Sequence, residues 1–219
     1  MDTRSNYHQS LDELQKELLH MGSLVEDRIR KSVESLKELN EDWAKEIIEK
    51  DDEIDEMLLV IEEQCLRLIA LQQPMASDLR IIGMATKIAV DLERIADHAV
   101  DIAKLTLRMA GEQLVKPLID IPQMAEIAME MLRECLLSYT ERDIHRAASL
   151  AEMDDRVDAM YSRVLTELTD MFGTDLRVNR QLTNLMMVSH YIERVADHTT
   201  NIGEGVIYLV TAKRKDLNI

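Results

Sequence analysis

The chain of 219 residues carries 42 Asp and Glu against 26 Lys and Arg, a formal charge of −16. That excess argues against nucleic acid, whose binding depends on cationic side chains neutralising phosphates, and against an anionic lipid surface. Hydrophobic residues make up 46% of the chain with only one Trp and one Phe, so the core must be aliphatic, built from Leu, Ile, Val, Ala and 14 Met.

Six Gly and three Pro leave few breakers, and no sustained period-two run bounded by Gly-rich turns appears, so long helices with short connections are predicted. In chain order they run from about 5 to 38, 42 to 71, 75 to 110, 118 to 140, 143 to 171 and 176 to 211. The breaks fall at Asn40-Glu41-Asp42, Gln73-Pro74, Gly111 to Pro122, Thr140 to Asp143 and Gly173-Thr174. In the third helix Ile81, Ala85, Ile88, Leu92, Ile95, Ala99 and Ile102 alternate spacings of four and three, the stripe of a long helix packed at a shallow angle in a bundle. The sixth repeats it with Leu185, Ser189, Ile192, Ala196, Thr199, Gly203 and Val206, where the small residues predict close helix approach.

The two halves repeat one another. Glu93-Arg94-Ile95-Ala96-Asp97-His98 returns as Glu193-Arg194-Val195-Ala196-Asp197-His198, 100 residues later. Asp51-Asp52-Glu53-Ile54-Asp55 returns as Asp154-Asp155-Arg156-Val157-Asp158, 103 residues later. Internal repetition fixes an architecture before any other pattern does. Here it predicts an all-α chain of two similar antiparallel three-helix bundles related by duplication, residues 1–112 and 113–219, packed against each other.

Asp51 and Asp55, Glu93 and Asp97, Asp154 and Asp158, and Glu193 and Asp197 are each spaced i, i+4, which sets two carboxylates on one helix face about 6 Å apart. One such pair is a weak signal in a chain this acidic. Register strengthens it. Residue 74, the Pro of the turn, lies midway between the centres of the first two pairs, so the antiparallel hairpin brings them level. The other two pairs are levelled by the Gly173-Thr174 turn, and each cluster lies about 30 Å from its turn at 1.5 Å rise per residue. Four carboxylates gathered without a counter-ion are strongly disfavoured. Iron, Mn²⁺ or Mg²⁺ would satisfy them through oxygen ligands, whereas zinc would prefer His or Cys nearby. The sites are expected to be superficial, with Asp101 and Asn201 one turn on as possible additional ligands. His98 and His198, about 100° round the helix from the Asp before them, are read as interhelical hydrogen-bond or solvent-facing groups rather than ligands. Arg94 and Arg194 are read as screening or interface charges. Cys65 and Cys135 lie in apolar helical stretches and are expected to pack as small hydrophobes.

No apolar run approaches the ~18 residues of a membrane span, and Met1-Asp2-Thr3-Arg4 does not begin a signal peptide, so a cytoplasmic protein is expected. No phosphate-cradling Gly-rich loop, nucleophile elbow or Cys/His catalytic arrangement is present, and a non-enzymatic role is expected.

Gln73-Pro74-Met75-Ala76-Ser77-Asp78-Leu79-Arg80, taken with Leu92-Glu93-Arg94-Ile95-Ala96-Asp97 and Ile192-Glu193-Arg194-Val195-Ala196-Asp197, closely resembles the PhoU family of bacterial phosphate-specific transport accessory proteins. The similarity covers nearly the whole chain. It implies two three-helix bundles with metal clusters held on Glu/Asp-x-x-x-Asp motif pairs, matched here by the eight carboxylates. It also implies negative regulation of the phosphate-starvation response, modulation of phosphate uptake, and work with the ATPase subunit of a phosphate ABC transporter and a sensor histidine kinase. Family members commonly form homodimers. Some carry Gly before the motif Asp, where this chain has Ala96 and Ala196. Two other readings stay open: a ferritin-like di-metal oxidative enzyme, which needs two Glu-x-x-His motifs and finds one in Glu17 and His20, and a metal-free helical adaptor.

Overall fold

The computed structural model describes residues 3–217, with side chains described from Tyr7 onward; the polar start Met1-Asp2 lies outside the described residues. The described chain is helical, with no strand: α1 (Thr3–Glu38), α2 (Glu41–Glu49), α3 (Asp52–Gln72), α4 (Ala76–Met109), α5 (Asp120–Glu141), α6 (Ile144–Asp170) and α7 (Leu176–Thr211). Helices α1, α2–α3 and α4 form one antiparallel three-helix bundle and α5, α6 and α7 the other.

Side-chain caps start three of the helices. Asn40 accepts from Trp43 N at 3.0 Å, Asp143 from His145 N at 2.8 Å, and Asp175 from Arg177 N at 2.8 Å. Each satisfies a backbone N–H that has no partner within the first turn. Left-handed residues end others: Gln73 closes α3 at φ 46° and Arg142 closes α5 at φ 54°.

The second predicted helix is two. It breaks at Lys50-Asp51, where the Asp51 N–H turns to Ile48 O three residues back and Glu53 N to Lys50 O in the same tight manner. The cause lies on α1. Arg28, only 6% exposed, donates from its guanidinium to the carbonyls of Lys50 and Asp51 and to Glu53 Oε2 at 2.9 Å, fixing the backbone groups at the break. The bend lets α2 bury Ala44 and Ile47 against Val100 and Ala103 of α4, in a small cluster separate from the main core. In the second bundle α6 runs unbroken, and the position matching Arg28 holds the buried Met131.

The halves share one core through α4 and α7. Arg80 donates to Leu209 O, Met84 lies over Gly205, Asp91 meets His198, and His98 meets Tyr191. Every step forward along α4 is matched by an equal step back along α7, so the two helices run antiparallel without a slip. The connection between bundles is held to α7 by the buried Gln181, which accepts from Val115 N at 2.6 Å and donates to Glu112 and to Gln113 O. The expected boundary at residues 112 and 113 falls in that connection.

Small residues permit the close approach in the second bundle. A Cβ on Gly203 would stand 2.6 Å from Leu150 Cδ1 and 3.2 Å from the Ala147 carbonyl, whereas one on Gly83 would meet nothing within 4 Å. Gly203→Ala is therefore expected to lower the melting temperature by several degrees, because backbone cannot yield, while Gly83→Ala raises it slightly through helix propensity worth up to about 1 kcal/mol. Thermal melts of both variants that moved together would overturn the assignment. Cys65 and Cys135 are free and buried, as small hydrophobes are. Among the described residues, no helix is long and apolar enough to cross a membrane.

Candidate functional site

The crossing of α4 and α7 is centred on the repeated hexapeptides. His198 Nδ1 donates to Asp91 Oδ1 at 3.0 Å across the two helices. The repeat-related contact, His98 with Tyr191, is a ring stack at 5.5 Å between centroids. Duplication has thus kept the contact and changed its chemistry, since Asp91 and Tyr191 occupy equivalent positions. Burial, reinforced by His198 and Arg194, pushes the His98 ring down to about 4, so it stays neutral near pH 7, and its buried Nδ1 has no hydrogen-bond partner. Of the two roles expected for it, interhelical hydrogen bond or solvent-facing group, His198 takes the first.

On the α3–α4 face, Asp51, Asp55, Glu93 and Asp97 act on one another across the hairpin, as the register argument requires. Burial and then Asp55 and Asp97 raise Asp51 above the usual carboxylate range, while Lys104 and Arg28 oppose the shift. Burial and then Asp97 raise Glu93, with weaker contributions from Asp55 and Asp51. Asp97 is raised by burial against the pull of Arg94. Arg94 pairs with Glu93 at 3.4 Å and Asp97 at 3.2 Å, so it screens its own motif. Asp101 stands 3.6 Å from Lys104, and Asn201 is exposed on α7.

The α6–α7 face is drier. Asp154 is 5% exposed and its Oδ1 has no hydrogen-bond partner. Burial first, then Asp158 and Asp197, push it up to about 7. Glu193 is likewise pushed up to about 7 by burial, then Asp197 and Asp158, and its buried Oε2 is unsatisfied although His190 Nδ1 stands 3.3 Å away. Asp158 is raised by burial and by Asp197. Arg194 pairs with Asp197 at 2.5 Å, repeating Arg94. A wholly superficial site was expected. Asp154 departs from that: α6 turns it inward beside Val157 and Leu150, whereas Asp55 and Asp158 are exposed and Glu93, Asp97, Glu193 and Asp197 half-buried.

The eight carboxylates thus fall into two sets of four, one per bundle, whose members influence one another through their charges. Among the described residues, no three His, Cys, Asp or Glu side chains converge tightly enough to hold one ion. The donor set nonetheless fits a hard cation in type and in unmet charge: oxygen ligands only, two of them orphaned, in an environment that penalises the anions. Sequence reasoning missed Arg28, Asp91, Tyr191 and Gln181. Only the Asp91/Tyr191 position had a signal, since it lies two residues before each hexapeptide.

Two duplicated helical bundles carrying paired carboxylate faces define a helical scaffold built by duplication. The PhoU domain profile matches residues 18–106 and again 121–206. The phosphate-specific transport system accessory protein PhoU homolog of Clostridium acetobutylicum is 43% identical over 217 residues, 99% of each chain. The homolog from Aquifex aeolicus is 38% identical over 91% of this chain and 90% of its own. Among solved structures, PhoU from Pseudomonas aeruginosa superposes with a TM-score of 0.89 at 32% identity, covering 94% of this chain and 100% of that one. The phosphate transport system regulatory protein PhoU from Streptococcus pneumoniae gives 0.89 at 30% identity, covering 96% and 99%. The chain belongs to the PhoU family, and it is a non-enzymatic regulator of phosphate homeostasis.

Proposed function

We propose that this protein is a negative regulator of the phosphate-starvation response that modulates a phosphate ABC transporter, binding metal on the two acidic faces. The observation that carries this reading is the family match over both repeats together with two carboxylate quartets, one holding orphaned buried oxygens. Its partners are the transporter's ATPase subunit and a sensor histidine kinase, its site of action is the cytoplasm, and its working form is a homodimer. Coupling between transporter and kinase requires that the two partners prefer different states of the scaffold. Asp51, Asp55, Glu93 and Asp97 would hold one set of cations and Asp154, Asp158, Glu193 and Asp197 the other. Iron, Mn²⁺ or Mg²⁺ suits the oxygen donors better than zinc. A bound cation supplies positive charge that lets neighbouring carboxylates stay ionised and ties α3 to α4 and α6 to α7.

A strain lacking the protein is expected to express phosphate-uptake genes in phosphate-rich medium; normal repression there overturns the regulatory reading. Metal content measured by mass spectrometry, on protein purified without chelators or a His-tag, is expected to fall several-fold in Asp97→Asn with Asp197→Asn. Equal metal in both proteins moves the ions off these faces. The di-metal oxidase reading is not favoured: Glu17 and His20 line a groove between α1 and α3 with Leu24, Glu53, Glu56 and Met57, and the second Glu-x-x-His motif that such a site needs is missing from the sequence.

A further inference from the structure

A groove of about 680 Å³ lies between the N-terminal half of α4 and the C-terminal third of α7, and the segment after α7 closes its third side. That is the volume of a small-molecule site. Two glycines make room for it. A Cβ on Gly83 would meet nothing within 4 Å, and Gly205 lets the buried Met84 lie across α7 at the base of the groove. The closing segment has a fixed course. Ala212, left-handed at φ 56°, ends α7, and Lys213 N donates to Thr211 Oγ1 at 3.2 Å. Leu217 N then donates to Glu204 Oε1 at 2.7 Å, and the Leu217 side chain packs on the core beside Gly203. Residues 213–217 therefore run back along α7 as a strap, with Arg214 and Lys215 lining the groove.

The groove is positive in a negative chain. Arg80, Lys87, Arg214 and Lys215 line it against Asp91, Glu204 and Asp216, a formal +1 where the whole chain carries −16. Asp91 is already engaged by His198 and Glu204 by the strap. Among the described residues none of the four cations is in an ion pair, and Arg80 spends only its Nε–H, on Leu209 O at 3.4 Å, which leaves its terminal nitrogens to the groove. An apolar wall adjoins the cations: Leu79 and Tyr208 are 45% and 38% exposed.

The duplication supplies an internal control. At the other end of the α4–α7 crossing the repeat-related positions hold Thr183 for Gly83, Leu105 for Gly205, Met187 for Lys87 and Arg108 for Tyr208. Leu114 and Val115 stand for Arg214 and Lys215, in a connection tied to Gln181, and Arg180 for Arg80 alone keeps its charge. Pairing the two helices thus requires neither the glycines nor the collected cations.

We infer that this groove binds a nucleotide, its linked phosphates at Lys87, Arg214, Lys215 and the Arg80 fork and its base against Leu79, Met84 and Tyr208. Guanidinium forks take phosphate oxygens in pairs. A single inorganic phosphate would leave the apolar wall and most of the volume unused. The site shares no residue with either acidic quartet, so it goes beyond the metal-binding reading. A ligand held by α4, α7 and the strap would join the two repeats and give the scaffold a second input.

The test titrates full-length protein calorimetrically, in chelator, with ADP, pyrophosphate and adenosine. Chelator strips metal from the acidic faces, so nucleotide is not recruited through it, and a failure of the metal reading leaves the result intact. ADP is expected to bind at least tenfold more tightly than either fragment. Arg214→Ser with Lys215→Ser, and separately Lys87→Met, which installs the second repeat's residue, should each weaken ADP at least fivefold. All three positions are exposed, so these variants are expected to fold. Gly83→Thr fills the space without changing charge and should weaken ADP by a similar factor. Arg67→Ser with Lys37→Ser removes two exposed cations that do not line the groove and should leave binding unchanged. No ADP binding, equal binding by the groove variants, pyrophosphate as tight as ADP, or an equal loss in the control variant overturns the proposal.

Discussion

Freed of metal by a chelator, Asp154→Asn is expected to be more stable than the parent at pH 8, by on the order of 2 kcal/mol, and indistinguishable from it near pH 4. The Asp154 carboxyl is pushed from an ordinary 3.8 up to about 7, first by burial and then by Asp158 and Asp197. An acid raised in this way contributes stability that is fully present below its unfolded value and lost as pH rises through its folded value. Between about 3.8 and 7 the native state keeps a proton that the unfolded chain has released, so the metal-free parent weakens across that window. Asn keeps the shape without the charge. Glu193, also pushed up to about 7, falls in the same window and couples to Asp154, so the two titrate as a pair. Thermal melts from pH 4 to 8 in chelator check this. A difference between parent and variant that is the same at both ends, or a less stable variant at pH 8, overturns it.

The same groups are the reason a cation is proposed for the second face. What destabilises the metal-free chain at neutral pH is a set of anions without partners, and a divalent ion reverses the sign of that term. Parent protein is therefore expected to gain stability from added metal and Asp154→Asn to gain less. The first face is softer. Lys104 and Arg28 already offset part of the repulsion at Asp51, so a cation there replaces existing screening rather than supplying the first positive charge.

What could be read in advance followed from period and register. Helix ends lay within two residues of their observed positions, apart from the split at Lys50, because caps such as Asn40, Asp143 and Asp175 and the scarcity of Gly and Pro act locally. The levelling of acidic pairs across each hairpin needs only a constant rise and a turn position. Long-range contacts were out of reach. Nothing near Lys50 announces that a guanidinium 22 residues earlier will reach it, and the helix pattern of residues 42–71 reads straight through the break. The inward turn of Asp154 depends on how α6 seats against α7, which the i, i+4 spacing leaves free. His98 and His198 share a sequence context and differ in partner only because Asp91 and Tyr191 diverged within the duplication.

Arg28→Met is expected to destabilise the protein by about 2–3 kcal/mol, even though Met131 fills the matching position of the second repeat. The two sites ask for different chemistry. Met131 is buried in a bundle where α6 runs unbroken, its carbonyls spent within the helix, while Arg28 faces the carbonyls of Lys50 and Asp51 at a break and the carboxylate of Glu53 at 2.9 Å. Removing the guanidinium leaves the Asp51 carbonyl and Glu53 without that partner and takes a cation from the edge of the first acidic quartet. Lys is a poor substitute, because a point charge does not reproduce a planar fork that reaches two carbonyls and a carboxylate at once. Arg28→Lys should therefore recover less than half of the loss. Urea unfolding of the two variants measures both numbers. A neutral Arg28→Met would mean that α2 and α3 can fuse into one helix as α6 does, releasing Ala44 and Ile47 from Val100 and Ala103, and the bend would then be set by that small apolar cluster instead of by the arginine.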